Sequence, residues 1–479
     1  MTYDFVVIGG GSAGYAGART AAALGMKTCV VEGAIDVGGL CILRGCMPSK
    51  TLIESANRLR AVRHAREFGL SVGQIGVDAV EIIARKHRLV AEFADYRREQ
   101  LEEGDFDFLR GSAAFVDKTT LHVEGLKGSA ETVTARSFLI ATGSMISTPD
   151  IPGLASAECL TSDDVLGLTS IPESIIVLGA GPVALEMAHY LDALGARLTI
   201  VQRSAQLLKG MDEDVAKVVE NAFRKRGIQI FAKTKLLRAE RNEEVRRVFF
   251  EHEGSERTVE AAAILNALGR EPNVIGLGLE TAGVELEKNA IAVNAHQQTT
   301  APHIFAAGDC CGPFEVVHIA VEQGERAARN AARFLGGESG FEAMDYRLKL
   351  YVIFTEPQVA AVGLSEKEAK TGAIDYLAAT YPFNDHGKSL IMDETEGFVK
   401  LLADRSTREI LGGSVVGPDA SELIHEIVVA MSFRATAGQL ATIPHYHPTL
   451  SEIWLYPAEE LAGISPESAT ILPGKHKPI

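Results

Sequence analysis

Positive charge is in short supply in this sequence. Across 479 residues, 47 lysines and arginines face 63 aspartates and glutamates, and the formal charge at pH 7 is −16. Phosphate backbones and anionic headgroups need basic surface, so no nucleic acid and no membrane is expected as a partner. Long apolar runs are also missing, and none approaches the ~20 residues of a bilayer span. The opening MTYDFVVIGGG has neither a basic segment nor a cleavage site before its glycines, so no signal peptide is expected. Cysteine is sparse: six in the whole chain do not make a disulfide scaffold. A cytoplasmic protein is the expectation, and in that compartment a lasting disulfide is usually catalytic.

What is present is a globular composition, 46% hydrophobic and 23% charged. The chain is too long for one ordinary core, which gives roughly three domains. An apolar run at 5–8 enters Gly9, Gly11 and Gly14 in GxGxxG spacing. An alanine-rich helix at 16–24 follows, then a second apolar run at 28–31 that ends at Glu32. This is a βαβ unit whose glycines let a pyrophosphate approach the backbone, with the helix N-terminus supplying an anion-binding dipole. Glu32 is placed to accept a hydrogen bond from a ribose hydroxyl. The pattern recurs: a strand at 174–178 leads into Gly179, Gly181 and Ala184, then a helix at 185–194 and a strand at 197–201. Two nucleotide sites are expected, and a flavin with a nicotinamide is the obvious pair.

The two copies differ where ribose specificity is set. In the first copy the acid Glu32 suits a free 2′-hydroxyl. The second carries Gln202 at the matching place, with Arg203 next and Lys209 beyond, and cations there suit NADPH. The alternative is that Arg203 and Lys209 are solvated loop charges.

Two of the six cysteines lie in GLCILRGCMPSK, at Cys41 and Cys46. On a regular α-helix, positions five apart are roughly 8 to 9 Å apart between Cα atoms, beyond the usual reach of a disulfide. If the two pair, the segment is bent or only partly helical, and Gly45 tolerates such a bend. A bond held in constrained geometry is easily reduced, which reads as a redox-active switch. The alternative is two unrelated buried thiols.

Four ordered motifs resemble the class I pyridine nucleotide-disulfide oxidoreductase family over nearly the whole chain. GGLCILRGCMPSK is similar to its active-site disulfide motif, LIATGS (139–144) to the return to the flavin domain, and FAAGDC (305–310) to its second flavin contact. HYHPTLSE (445–452) is similar to its catalytic histidine–glutamate motif. Within the family the chain is most similar to the dihydrolipoamide dehydrogenase branch. The resemblance implies an α/β fold with two Rossmann-like nucleotide-binding domains plus a C-terminal α+β dimerisation domain. Its segments would be residues 1–150 (FAD-binding, first part), 151–272 (NAD(P)-binding), 273–344 (FAD domain, second part) and 345–479 (dimerisation).

The implied function is electron transfer between NAD(P)(H) and a dithiol or disulfide through FAD and the Cys41/Cys46 pair. Cys41 would attack substrate and Cys46 would contact the flavin. His447 would move the proton, oriented by Glu452, and Lys50 would sit beside the flavin paired with Glu186. Cofactor contacts are implied at Gly39, Ala113, Thr142, Gly143, Ser144, Asp309, His318, Gly269 and Arg270. A homodimer is implied, with His447 and Glu452 serving the cysteines of the opposite subunit. A lipoyl-bearing protein or a small disulfide would be the substrate, and no metal site is expected. Departures from the family pattern are Gln202 in place of an acid, Pro182 after the second glycine turn, and Arg44 between the cysteines. Cys29, Cys310 and Cys311 have no motif role and read as packing, and His445 reads as structural. Rival readings are a glutathione-reductase or mercuric-reductase type, the latter disfavoured because residues 472–479 hold no vicinal cysteines, and a non-enzymatic redox-sensing flavoprotein.

Overall fold

The computed structural model describes residues 2–463 apart from Lys127, Glu243 and Glu244, so the segment 472–479 lies outside the described residues. The chain forms two compact units. The first holds the residues up to Pro149 together with Asp163–Ser170 and Gly269–Met344; the second holds Asp150–Ser162, Ile171–Leu268 and the chain from Asp345 onward.

In the first unit, strand Thr2–Ile8 pairs in parallel with Thr28–Glu32 on one side and with Ala130–Ile140 on the other. Asp107–Asp117 extends the sheet beyond Thr28–Glu32, and Ile304–Ala306 extends it beyond Ala130–Ile140, both in parallel. All five residues of Thr28–Glu32 are buried, as a parallel sheet covered on both faces requires. The two long strands then leave this layer and pair antiparallel with Thr120–Gly125.

Helices Ser12–Ala23 and Val317–Leu335 pack together on the sheet through Ala13, Ala18, Ala327 and Ala331. Small residues set how closely they approach: a Cβ on Gly324 would collide with the Ala13 carbonyl oxygen, and one on Gly14 with that of Gly9. These glycines are the condition for a helix to sit directly behind the turn.

The second unit repeats the device. Strands Ala263–Asn266, Ser174–Leu178, Arg197–Val201 and Gln229–Phe231 run parallel in that order, beside a three-stranded antiparallel meander over Lys235–Arg241, Arg246–His252 and Ser255–Ala261. Its C-terminal part is a five-stranded antiparallel sheet, ordered Leu350–Ile353, Gln358–Gly363, Ile410–Gly417, Phe398–Asp404 and Tyr376–Pro382. Helix Ala420–Ser432 lays Leu423, Ile424 and Ile427 on that sheet, and Trp454 closes the core with its indole N–H on the Leu423 carbonyl at 3.0 Å.

Candidate functional site

The first glycine turn has the form an anion needs. Gly9 stands at φ +102°, where a side chain would meet the Ala141 carbonyl oxygen at 2.5 Å. Gly11 is the N-cap of Ser12–Ala23 and no side chain bonds the helix N-terminus, which leaves its amides to face an incoming group. Gly39 at φ +69° turns its bare Cα toward Gly11, and a Cβ on it would lie 2.7 Å from the Gly11 Cα. The Glu32 carboxylate is buried at the end of its strand. One oxygen accepts the Gly10 N–H at 2.8 Å and the other the Ala34 N–H at 2.7 Å, which fixes it with lone pairs to spare.

On the neighbouring strand ends, the Ser144 hydroxyl donates to Asp309 at 2.7 Å while Arg270 donates to both the Ser144 hydroxyl and its carbonyl at 2.8 Å. Ser144 and Arg270, read as cofactor contacts, are thus joined to each other and orient Asp309. Thr142 and Gly143 are tethered by Asn273: the Thr142 hydroxyl donates to its carbonyl at 2.6 Å and its N–H reaches Gly143 at 2.9 Å. Gly269 belongs to the same loop and accepts the Ser147 N–H. Ala113 is buried on its strand, and His318 is exposed in the first turn of Val317–Leu335. Gln323 was not legible as a site residue. Fully buried, it accepts the Gly308 N–H and donates to the Gly312 carbonyl, both at 2.8 Å, and so holds the Asp309 loop.

The second turn repeats the first. Gly179 at φ +103° leaves room for the Ala267 carbonyl, and Gly181 is an uncapped N-cap with open space where a Cβ would stand. Pro182 occupies N1 of helix Pro182–Ala193, where its missing N–H costs nothing. Gln202 is buried with its amide donating to the Gln206 carbonyl at 3.3 Å, while Arg203 and Lys209 are exposed.

The cysteines sit on either side of a helix break. Cys41 lies in Gly39–Leu43 and Cys46 opens Cys46–His64, with Arg44 and Gly45 non-helical between them. This is the bend that a five-residue spacing demands. Gly45 permits it, because a Cβ there would come within 2.9 Å of the Leu40 carbonyl and 3.2 Å of the Cys41 Cα. The Cys41 and Cys46 side chains interact across the break, and this interaction, with burial, pushes the Cys41 thiol far up, against a smaller opposing pull from the Lys50 ammonium. Arg44 is exposed, 3.8 Å from Asp163. A cation not foreseen from the sequence is Arg97, stacked over the Tyr15 ring at 4.2 Å and interacting electrostatically with Cys41.

Lys50 and Glu186 lie in separate units. Glu186 is buried and accepts the Phe354 N–H at 3.0 Å, so it is not an exposed helix-start carboxylate. The C-terminal motif forms a dyad: His447 Nδ1 is 3.0 and 3.2 Å from the two oxygens of Glu452. The imidazole is 76% exposed while its carboxylate is buried. His445 is a separate, structural group, with Nε2 2.7 Å from Glu426 and Nδ1 2.9 Å from the Ile443 carbonyl. Cys29, Cys310 and Cys311 are buried in the core of the first unit.

Two dinucleotide folds and an antiparallel domain in one chain define a nucleotide-dependent oxidoreductase fold. The chain belongs to the pyridine nucleotide-disulphide oxidoreductase family, whose model matches residues 3–324 and whose dimerisation domain matches residues 350–457. It is 33% identical over 462 residues to a dihydrolipoyl dehydrogenase of Geobacillus stearothermophilus, covering 96% of both chains. It is 32% identical over 452 residues to a mercuric reductase of Bacillus cereus, covering 94% of this chain and 70% of that one. Among solved structures, LpdA from Mycobacterium tuberculosis superposes with a TM-score of 0.85 at 30% identity, covering 96% and 99% of the two chains. The flavoprotein disulfide reductase RclA from Escherichia coli gives 0.84 at 26% identity with the same coverage.

The family is one of flavoprotein disulfide oxidoreductases and implies FAD and NAD(P), and its dimerisation domain supports a homodimer. The uncapped, side-chain-free turns at Gly11 and Gly181 fit the pyrophosphates of two such cofactors. Among the described residues, no helix is long and apolar enough to cross a membrane.

Proposed function

We propose that this protein is a dihydrolipoyl-dehydrogenase-type enzyme that exchanges electron pairs between NADP(H) and a dithiol or disulfide, by way of a Cys41–Cys46 bridge. The observation that carries the reading is the helix break at Arg44 and Gly45, which puts Cys41 and Cys46 on either side of a tight bend where their side chains interact. In the oxidising direction, a substrate thiolate attacks the Cys41 sulfur, the Cys41–Cys46 bond breaks, and Cys46 leaves as a thiolate. The second substrate thiolate then attacks its own sulfur in the mixed disulfide, which frees Cys41 and releases the cyclic disulfide. The pair now holds the two electrons, and the substrate has lost two protons: one goes to His447 at Nε2, because Nδ1 is committed to Glu452, and the other stays on Cys41 as a thiol beside the Cys46 thiolate.

Gly9, Gly11, Gly14, Glu32, Gly39, Ala113, Thr142, Gly143, Asp309 and His318 would hold FAD, with Ser144 and Arg270 orienting Asp309. When bound, FAD supplies hydride exchange between the dithiol and the nicotinamide. Gly179, Gly181, Gln202, Arg203, Lys209 and Gly269 would hold NADP(H), and Arg203 and Lys209 offer the exposed cations that a 2′-phosphate needs. Lys50 and Glu186 would pair as buried charge partners at the flavin.

The exposure of His447 supports a base that works on the opposite subunit. The apolar Val429, Phe433, Ile443 and Tyr446 of the same C-terminal part are also exposed, Phe433 and Tyr446 at 83%. The cytoplasm is the fitting compartment for a chain with only six cysteines in 479 residues.

The test is turnover of dihydrolipoamide with NAD+ and with NADP+ separately, beside NADPH-driven reduction of lipoamide, glutathione disulfide and Hg(II). Fastest turnover on the lipoyl pair with NADP(H) is expected. Preference for Hg(II) or glutathione disulfide, or no turnover of any by the FAD-loaded protein, overturns the reading.

A further inference from the structure

Glu452 is a buried carboxylate held between imidazoles. Its partners among the described residues are two imidazoles: the exposed His447 and, on the inner side, His386. His386 is wholly buried, and its Nε2 has no hydrogen-bond partner within normal range but stands 3.5 Å from Glu452 Oε1. Its Nδ1 is 2.9 Å from the hydroxyl of Ser389, also fully buried.

These contacts fix the tautomer. A carboxylate only accepts, so the proton belongs on Nε2, facing Glu452; Nδ1 is then the acceptor and the Ser389 hydroxyl donates to it. A separation of 3.5 Å is longer than a formed hydrogen bond, but an N–H aimed at a carboxylate in a dry site still stabilises the anion, and such contacts tighten in the working complex.

We propose that His386 is a positioning residue for the dyad: its Nε2–H holds Glu452 ionised and oriented, and thereby sets the basicity of His447. This rests on the reading of His447 as the base of thiol–disulfide exchange. Other groups facing His386 come from the surrounding elements. The Tyr456 ring is 6.5 Å away and stacks on Tyr381, whose hydroxyl meets Asp385 at 3.1 Å. The Phe383 ring, also 6.5 Å away, closes the pocket without charge. Burial pushes His386 toward its neutral form, with Glu452 pulling the other way, so the ring acts as a neutral donor.

The sign of the effect follows. Without the Nε2–H, Glu452 is harder to keep charged, His447 loses its negative partner, and His447 becomes a weaker base. In the FAD-loaded dimer, His386→Leu is expected to lower kcat for dihydrolipoamide oxidation about tenfold with KM within twofold, and to move the acid limb of the pH profile to lower pH. His386→Gln, which restores an N–H near the same place, should recover most of the rate. Ser389→Ala, which removes only a hydroxyl, should shift the profile in the same direction by less, and it serves where His386→Leu does not fold. Histidine ¹⁵N NMR of the same dimers reads the His447 midpoint whatever the substrate, and this midpoint should fall in both variants. An unchanged His447 midpoint and an unchanged pH profile in His386→Leu or Ser389→Ala overturn the inference. A lowered midpoint in a protein that turns over neither dithiol nor disulfide supports the His386 coupling and overturns the functional reading instead.

Discussion

Arg203 is the side chain on which the proposed choice of NADP(H) rests. The glycine turns of both nucleotide sites are alike in backbone form, and discrimination falls to the end of the following strand. There the first copy buries an acid, and the second buries an amide with an exposed guanidinium beside it. Arg203→Ala should raise the KM for NADPH about tenfold or more through loss of a charge-assisted phosphate contact, and leave NADH kinetics within about twofold. Steady-state kinetics with both nucleotides check it; an equal effect on the two means that the arginine does not read the phosphate. The glycines and the thiol pair were legible in the sequence because their demands are local: a positive φ at Gly9, a close approach at Gly14, a break at Gly45. Gln323, Asn273, Arg97 and His386 were not. Each acts through a tertiary contact with a partner distant in sequence, and no spacing rule announces such a pair. Ser144 and Arg270 stand out in the sequence through their motifs, but their bonds to each other and to Asp309 do not.

At the scale of elements, a buried charge cluster fastens helix Glu213–Lys225 to the antiparallel sheet. Lys400, 1% exposed on strand Phe398–Asp404, reaches Asp214 at 2.5 Å, Glu366 at 3.0 Å and Asp212 at 3.2 Å. Asp212 also accepts the N–H groups of Glu366 and Lys367 at 3.1 Å. Burial alone would raise the Glu366 carboxyl, but Lys400, Tyr376 and Lys370 outweigh it and hold it at about 2. A carboxyl held below its ordinary value of about 4.3 contributes its full stability above that value and loses it as pH falls toward 2. Lys400→Met should therefore destabilise the protein at neutral pH by about 3 kcal/mol, since it leaves the buried Asp212 and the half-buried Glu366 without their cation. The deficit should shrink as pH falls from 5 to 3 and the carboxylates protonate, which denaturant unfolding across that range measures. A constant deficit would mean that the lysine acts through packing alone. The cluster itself was invisible because a lone lysine in a strand gives no sign of which carboxylates it will meet.

For the whole molecule, the reading turns on where the dyad works. If the base of one subunit serves the thiols of the other, subunits carrying Cys41→Ser and subunits carrying His447→Gln are each nearly inactive as homodimers. Randomly mixed after refolding, they should regain about a quarter of wild-type activity, because half of the two-fold dimers contain one intact site of two. No recovery on mixing would place dithiol and base on the same subunit.

The most direct test of the central claim is alkylation mapping of the air-oxidised, FAD-loaded dimer by peptide mass spectrometry, before and after addition of NADPH without oxygen. Cys41 and Cys46 should both be protected beforehand and both alkylated afterwards, while Cys29, Cys310 and Cys311 do not change. Equal labelling of Cys41 and Cys46 with and without the nucleotide would contradict it, because no bridge would then have carried the electron pair.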